Sequence, residues 1–161
     1  MEQLITAGDL VGFKGAPFPD PVIQSAAESV RTECEWHIAP VITETVKIRT
    51  AGAWFVLLPT MRLVEVLGIA AGGQPVTGWE WYQNGVIERR GGFPHVVEIE
   101  FRHGYETCPP ELLAVIAERA SSGSAGRVRQ ESLGSRSVSL EAGYDTVGSV
   151  VLAKYTLSGE A

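Results

Sequence analysis

The stretch Val96-Val97-Glu98-Ile99-Glu100-Phe101-Arg102-His103 decides the class of fold, because its side chains alternate between apolar and charged. Successive side chains of a β-strand point to opposite faces of the sheet, so this stretch has one apolar and one charged face. Such alternation predicts a strand with one face on a core and the other in water. The apolar face comprises Val97, Ile99, Phe101 and His103.

Shorter stretches before this strand also have the composition of β-strands. Residues 41–50 and 54–58 are rich in β-branched or aromatic side chains, and residues 62–69 form a third stretch of this kind. Asn84-Gly85, just before Val86-Ile87, is a strong signal for a two-residue hairpin turn. The middle of the chain is therefore predicted to form a small antiparallel sheet or a partial barrel.

Two helices are predicted on either side of this β region. Asp20-Pro21 starts the first, because aspartate caps free backbone N–H groups and proline fits the first turn. Pro40 ends it by about Ala39. Its apolar stripe comprises Ile23, Ala26, Ala27, Val30 and Cys34. The second helix begins near Pro110, and its apolar face comprises Leu112, Leu113, Ile116, Ala117 and Ala120.

The order of these elements predicts an α+β fold: a small helical bundle with an inserted small antiparallel β-sheet. Two long helices and a short terminal element make up the bundle, since isolated helices of this length are marginal in water. Residues 1–19 are an extended N-terminal arm, and residues 20–120 are a helix–sheet–helix core. Residues 121–144 are a flexible polar arm. Residues 145–161 are the terminal element, helical if Asp145 caps it, although Gly148 lowers its helix propensity.

Composition limits the classes of function. The 161 residues suit one domain with a core. The formal net charge of −6 argues against wrapping nucleic acid with the whole surface, because phosphate binding depends on lysine and arginine. No apolar run approaches the roughly 20 residues of a membrane span, and the N-terminus lacks a signal-peptide pattern. We therefore expect a protein made in the cytoplasm with no membrane partner.

The sequence contains no convincing catalytic or metal-binding motif. The spacing of Cys34 and His37 could place both on one face of a helix, but the sequence offers no further ligands for a metal ion. No metal or cofactor is therefore predicted, and the two cysteines are expected to be buried thiols. Glu98, His95 and His103 leave one alternative open, a small ligand-binding or hydrolytic module in the β region. The preferred prediction is that the protein is not an enzyme.

Three tryptophans, Trp54, Trp79 and Trp81, fall in the β region. They are expected to build the core of the sheet. The alternative is an exposed aromatic contact surface, since aromatic side chains are enriched at protein interfaces.

A series of short motifs runs through residues 21–157 in a definite order. They are EWHIAPV at 35–41, TET at 43–45, LLP at 57–59, VEV at 64–66, Trp81, GVIER at 85–89, FRHGY at 101–105, CPPELLAVI at 108–116, VRQESLG at 128–134 and SVSL at 137–140. In order and spacing they resemble the head-to-tail adaptor (head–tail connector) proteins of long-tailed bacteriophages, especially those of actinobacterial hosts. The terminal element departs from the pattern, because family members usually have a more charged helix there.

The resemblance implies a structural virion protein of the phage neck, between head and tail. Such adaptors form a ring, typically of twelve copies, under the portal protein. The ring extends the channel through which double-stranded DNA passes without sequence-specific binding, and it docks the stopper (head-closure) protein. They have no catalytic residues. A second candidate is another neck or tail-end structural protein, such as a stopper, which would be expected to be mainly β.

The polar segment at residues 121–137 is interpreted as an assembly arm. An extended segment that cannot bury itself in its own domain can order on a partner by adding a strand to its sheet. The predicted partner is a neighbouring subunit or the portal. The predicted contact residues are Arg127, Val128, Arg129, Glu131, Leu133, Arg136, Val138, Lys154 and Tyr155.

Overall fold

The computed structural model describes residues 3–126 and 146–157, and the chain divides into two units. The first unit comprises Met1–Cys34 and Cys108–Thr156, and the second comprises Glu35–Thr107 and Leu157–Ala161. Among the described residues, no helix is both long and apolar enough to cross a membrane.

The first unit is helical. A 3-10 helix at Ala7–Leu10 precedes α1 at Asp20–Cys34, α2 at Pro110–Gly126 and α3 at Thr146–Ala153. The predicted stripe of α1 is confirmed, because Ile23, Ala26, Ala27, Val30 and Cys34 are all buried. It packs against α2, whose buried residues include Leu112, Val115, Ile116, Ala117 and Ala120.

Residues before α1 take part in the core of this unit. Leu4, Ile5, Leu10 and Phe18 are buried. The hydroxyl of Ser121 on α2 donates a hydrogen bond to the carbonyl oxygen of Lys14 at 3.2 Å. The segment preceding α1 is thus fastened to α2 by a polar contact as well as by its own buried apolar side chains.

The second unit contains two antiparallel sheets. The larger sheet has the order β1-β7-β3-β4 and the smaller has the order β2-β6-β5. The strands are β1 at Ile42–Arg49, β2 at Phe55–Leu57, β3 at Leu63–Ala71, β4 at Gln74–Pro75, β5 at Trp79–Trp81, β6 at Val86–Arg89 and β7 at Val96–His103.

Strand β7 is an inner strand of the larger sheet and lies between β1 and β3. It pairs with β1 over its whole length and with β3 on its other side, where two irregularities shift the register. Its side chains alternate between exposed and buried as predicted, with Val97, Ile99, Phe101 and His103 on the buried face. The predicted strand and its orientation are confirmed.

Both sheets contribute to one apolar core. Val56 and Ile87 come from the smaller sheet, and Val66, Ile99 and Phe101 come from the larger one. Trp79 and Val46 are partly buried against the same cluster. The inner faces of the sheets therefore meet, and their outer faces point away from the shared core.

The prediction of a helical bundle with a small inserted sheet was wrong. The described residues form seven strands in two sheets, with three α-helices and one 3-10 helix, so the fold is mostly β, and α+β holds only in part. Strands β2, β4, β5 and β6 have two to four residues each, which is too short for a periodic pattern. The sequence predicted β structure at residues 54–58 and a hairpin before Val86, but it did not predict that these short strands pair into a second sheet.

The predicted hairpin at Asn84-Gly85 exists, but its turn differs from the prediction. The Tyr82 N–H donates to the Val86 carbonyl at 2.8 Å, and the Gly85 N–H donates back to the Tyr82 carbonyl at 3.0 Å. The loop therefore has three residues and ends on Gly85 at a φ of 87°. Glycine suits this position, because a Cβ there would lie 2.5 Å from the carbonyl oxygen of Thr60.

We predict that Gly85→Ala destabilises the protein more than Gly73→Ala. Gly73 has a φ of 80°, but no atom lies within 4 Å of the position that a Cβ would take, so its substitution costs only backbone strain, about 1–2 kcal/mol. Gly85→Ala adds the clash with Thr60, which we expect to cost about 1–3 kcal/mol more. Urea unfolding of the two variants measures the difference, and equal stabilities would contradict the prediction.

The two cysteines provide a second prediction. Both are free and buried, and burial raises the pKa of Cys34 to about 11 and that of Cys108 to about 12. Because the thiolate is the reactive form, neither thiol should react with a disulfide reagent at pH 8 in the folded protein. Both should react at once in guanidinium chloride. Rapid labelling of the folded chain would contradict this placement.

Candidate interaction surface

The predicted contact residues fall mostly outside the described residues. Arg127, Val128, Arg129, Glu131, Leu133, Arg136 and Val138 lie there. Lys154 and Tyr155 follow α3 directly, and the Lys154 ammonium lies 3.3 Å from a carboxylate oxygen of Glu111 on α2. Both side chains of this ion pair are about half exposed, so the pair contributes little to stability. It nevertheless joins the end of α3 to the start of α2.

The groups considered for acid–base chemistry are not brought together. Glu98 points outward from β7 and lies 3.3 Å from the Lys47 ammonium, whereas His103 points into the core. His95 is exposed in the segment before β7. Within residues 3–126 and 146–157, no group of three or more His, Cys, Asp and Glu side chains is placed to hold a metal ion.

His103 is a buried histidine with an unusual environment. Its Nε2 lies 3.0 Å from a carboxylate oxygen of Glu44, while its Nδ1 is buried without a hydrogen-bond partner among the described residues. The rings of Phe101 and His37 lie 4.8 Å and 5.9 Å away. Burial lowers the pKa of His103 from its ordinary value of 6.5, although the Glu44 carboxylate opposes this shift. A neutral ring that donates from Nε2 to Glu44 fits this geometry.

The outer face of the smaller sheet is the main exposed apolar surface of the β unit. Register pairs Phe55 with Glu88, Leu57 with Val86 and Glu80 with Glu88, so these side chains share one face. Tyr82 joins them, because its hydroxyl lies 3.3 Å from a carboxylate oxygen of Glu88. We call this set, Phe55, Leu57, Glu80, Tyr82, Val86 and Glu88, the small-sheet outer face.

Three large side chains on this face are exposed. Phe55 is 41% exposed, Leu57 60% and Tyr82 46%. Trp54, itself 60% exposed, lies beside Phe55 with 5.1 Å between ring centroids. Large apolar side chains that cluster on a surface, rather than occurring singly, mark contact sites.

A shallow groove of about 590 Å³ crosses the same face. It is lined by Met61, Tyr82, Gln83, Asn84, Val86 and Glu88. Apolar side chains therefore line part of the groove, and a carboxylate lies among them.

The charges on this face are unbalanced. Glu80 and Glu88 lie directly opposite each other on β5 and β6, an arrangement that is unfavourable for like charges. The negative charge of Glu88 raises the pKa of the Tyr82 hydroxyl, with smaller contributions from burial and Glu80. Among the described residues, neither carboxylate forms an ion pair with a lysine or arginine.

The outer face of the larger sheet is charged and mostly self-paired. Lys47 pairs with Glu98 at 3.3 Å, and Arg102 pairs with Glu65 at 3.7 Å. Arg49 lies directly opposite Val96 at one end of the face, and Val96 is 38% exposed. Arg49 has no carboxylate partner in the part of the chain that the structure describes. We call this set, Lys47, Arg49, Glu65, Val96, Glu98, Glu100 and Arg102, the large-sheet outer face.

The tryptophans divide between the two predicted roles. Trp79 packs on the core, and its indole N–H donates to the carbonyl of Val76 at 2.8 Å. Trp54 is exposed, as the alternative predicts. Trp81 pairs with the buried Ile87, yet it is 37% exposed at the edge of the sheet. The core prediction is confirmed for Trp79 alone.

Sequence reasoning missed Phe55 and Leu57 as surface residues. The three residues of β2, Phe55-Val56-Leu57, are all apolar, so their alternation leaves no trace in polarity. Glu80 and Glu88 could have indicated which face of the small sheet is exposed, because charged side chains on neighbouring strands lie on the side of a sheet that faces water.

We predict that His103 makes stability depend on pH. Because its pKa is lowered in the folded chain, the unfolded chain binds more protons below about pH 6.5. The free energy of unfolding should therefore fall as pH decreases through this range. Glu44→Gln should steepen the fall, since the carboxylate favours the protonated ring.

Urea unfolding at pH 7.5 and pH 5.5 measures this effect. His103→Asn should lose most of the difference, and His95→Asn, at an exposed position, is the matched control. The facing groups Glu44 and His37 are retained in both variants. An unchanged pH dependence in His103→Asn would contradict the prediction.

Comparisons with known proteins bear on the fold. No family model matches the sequence, and no curated protein matches it. A chain in the neck of the empty GTA particle, computed with C6 symmetry, has a TM-score of 0.61 at 15% identity, covering 98% of this chain and 94% of that chain. A chain in the neck of the native GTA particle, computed with C12 symmetry, has a TM-score of 0.56 at 14% identity, covering 99% and 98%. The fold is therefore similar to that of chains in GTA particle necks.

Proposed function

We propose that this protein is a structural component of the neck of a tailed phage or phage-like particle, between head and tail. The observation that carries the proposal is the similarity of fold to two neck chains, which extends over 98% and 99% of this chain. The motif resemblance to head-to-tail adaptors points to the same place independently. The actinobacterial type of adaptor stays a prediction.

Within the neck, the adaptor is the component we favour. Helices α1 and α2 have 15 and 17 residues and pack on each other, so the chain has a helical unit besides its two sheets. A stopper or another neck protein is the second candidate, because the β unit has two sheets and its own apolar core. A mostly β fold is also expected of a stopper, so the adaptor is favoured by the ordered motifs that resemble head-to-tail adaptors together with this helical unit.

The adaptor proposal includes a ring of copies beneath the portal protein. One of the similar structures has C12 symmetry, which supports twelve copies. The ring extends the DNA channel and docks the stopper. A formal net charge of −6 suits a channel along which DNA slides without being held, because few cations are available for phosphate binding.

The proposed role is structural and not catalytic. The carboxylate of Glu98 and the imidazole of His103 lie on opposite faces of β7, so the alternative hydrolytic module has no assembled site at these residues. Exposed apolar side chains on the small-sheet outer face instead favour contact with another protein surface.

We predict that an internal deletion of residues 124–135 separates folding from assembly. Residues 124–126 form the end of α2, and residues 127–135 belong to the proposed assembly arm, which would pair with a neighbouring subunit or the portal. The purified variant should keep the thermal unfolding midpoint of the wild type within a few degrees. When it is supplied to a particle-producing strain that lacks the gene, tailed particles should be lost. Electron microscopy counts heads with and without tails.

A variant that replaces residues 124–135 with glycine and serine at equal length is the control for chain length. It should also fail to give tails, because it lacks the side chains that make the contact. Normal yields of tailed particles with the deletion would rule out the assembly arm. Tailed particles in the strain without any copy of the gene would rule out the neck role itself.

A further inference from the structure

We propose that the small-sheet outer face of one copy binds the Arg49–Val96 end of the large-sheet outer face of the next copy around the ring. The occupant of the exposed apolar face is thus a second copy of this chain. The inference rests on the proposed neck function and adds the contact that joins the subunits.

The symmetry of a ring sets the first requirement. A closed ring of more than two copies uses a heterologous contact, in which two different surfaces of each subunit are complementary. The structures of similar fold come from necks with C6 and C12 symmetry. Each copy of this chain would therefore need two unlike faces.

The β unit provides two such faces. Its sheets share one core, so the small-sheet and large-sheet outer faces point away from each other. Both faces can be occupied at the same time, one by each neighbour.

Each face exposes at least one apolar side chain at the proposed contact. Phe55, Leu57 and Tyr82 are exposed on the small-sheet outer face, and Val96 is exposed at the end of the other face. Aromatic and aliphatic side chains that are exposed in a single copy become the buried centre of such a contact.

The two faces also match in charge. Glu80 and Glu88 lie opposite each other without a cationic partner among the described residues, and Arg49 has no carboxylate partner there. The groove on this face is lined by Met61 and Val86, and it contains the carboxylate of Glu88. An arginine side chain fits such a groove, because its aliphatic carbons can contact the apolar side chains while its guanidinium pairs with the carboxylate. A neighbour's Arg49 would relieve the repulsion between Glu80 and Glu88.

Two charge reversals test this pairing in assembling particles. A strain that lacks the gene receives Glu88→Arg alone, Arg49→Glu alone, or both variant genes together. Each variant alone places like charges in every contact of the ring, so we expect tailed particles to fall by about tenfold or more. In a ring where the two variants alternate, every contact again joins opposite charges. Co-expression should therefore restore the yield.

The controls separate this contact from folding and from the neck role. Both substitutions are at side chains without an ion pair among the described residues, and urea unfolding checks that each variant keeps its stability. Glu106→Arg, an exposed reversal outside both faces, should give normal yields.

Two outcomes would overturn the proposal. Normal yields with either single variant would show that these residues do not meet in the ring. If the two variants are folded but their co-expression does not restore tailed particles, the small-sheet outer face does not bind another copy of this chain. It would then be assigned to contact with a different neck protein. In both cases the wild-type gene would still restore tails, so the neck function would stand. If strains with and without the wild-type gene produced tailed particles equally well, the proposed neck function itself would be rejected.

Discussion

The alternation of strand β7 is the constraint on which the β unit depends. Hydrogen bonds fix β7 on both sides, to β1 and to β3, so its register determines which side chains of three strands are buried. A slip of one residue would bury Glu98 and Glu100 and expose Ile99 and Phe101. The cost of burying those charges selects one register, and that register places every charge of the large-sheet outer face in water.

Local patterns were predictable from the sequence, and long-range pairing was not. Helix α1 and strand β7 each have a periodic apolar face, and the sequence predicted both with the correct buried side chains. Strand β2 has three residues and pairs with β6 some thirty positions away, and no local pattern records that pairing. This is why a fold of two sheets was mistaken for a helical bundle with a small insertion.

The surface was harder to predict than the core, for a related reason. Burial follows from side-chain chemistry and from strand alternation, which explains why the buried thiols and the position of His103 on the buried face of β7 were predicted. An exposed Leu57 contradicts that chemistry, and only the pairing of Leu57 with Val86 on the outer side of the sheet reveals it. Of the predicted contact residues, Lys154 and Tyr155 lie within the described residues, and the Lys154 ammonium lies 3.3 Å from a carboxylate oxygen of Glu111.

The small-sheet outer face combines two features that are unfavourable in an isolated copy of the protein. Phe55, Leu57 and Tyr82 leave apolar surface in water, and Glu80 lies opposite Glu88 with no cation among the described residues to separate them. Either feature alone is a small cost that a surface tolerates. Both are removed when an apolar surface carrying a guanidinium covers the face. Sequences that fold consistently break such rules mainly where function requires it, so this coincidence favours a face built for a neighbour.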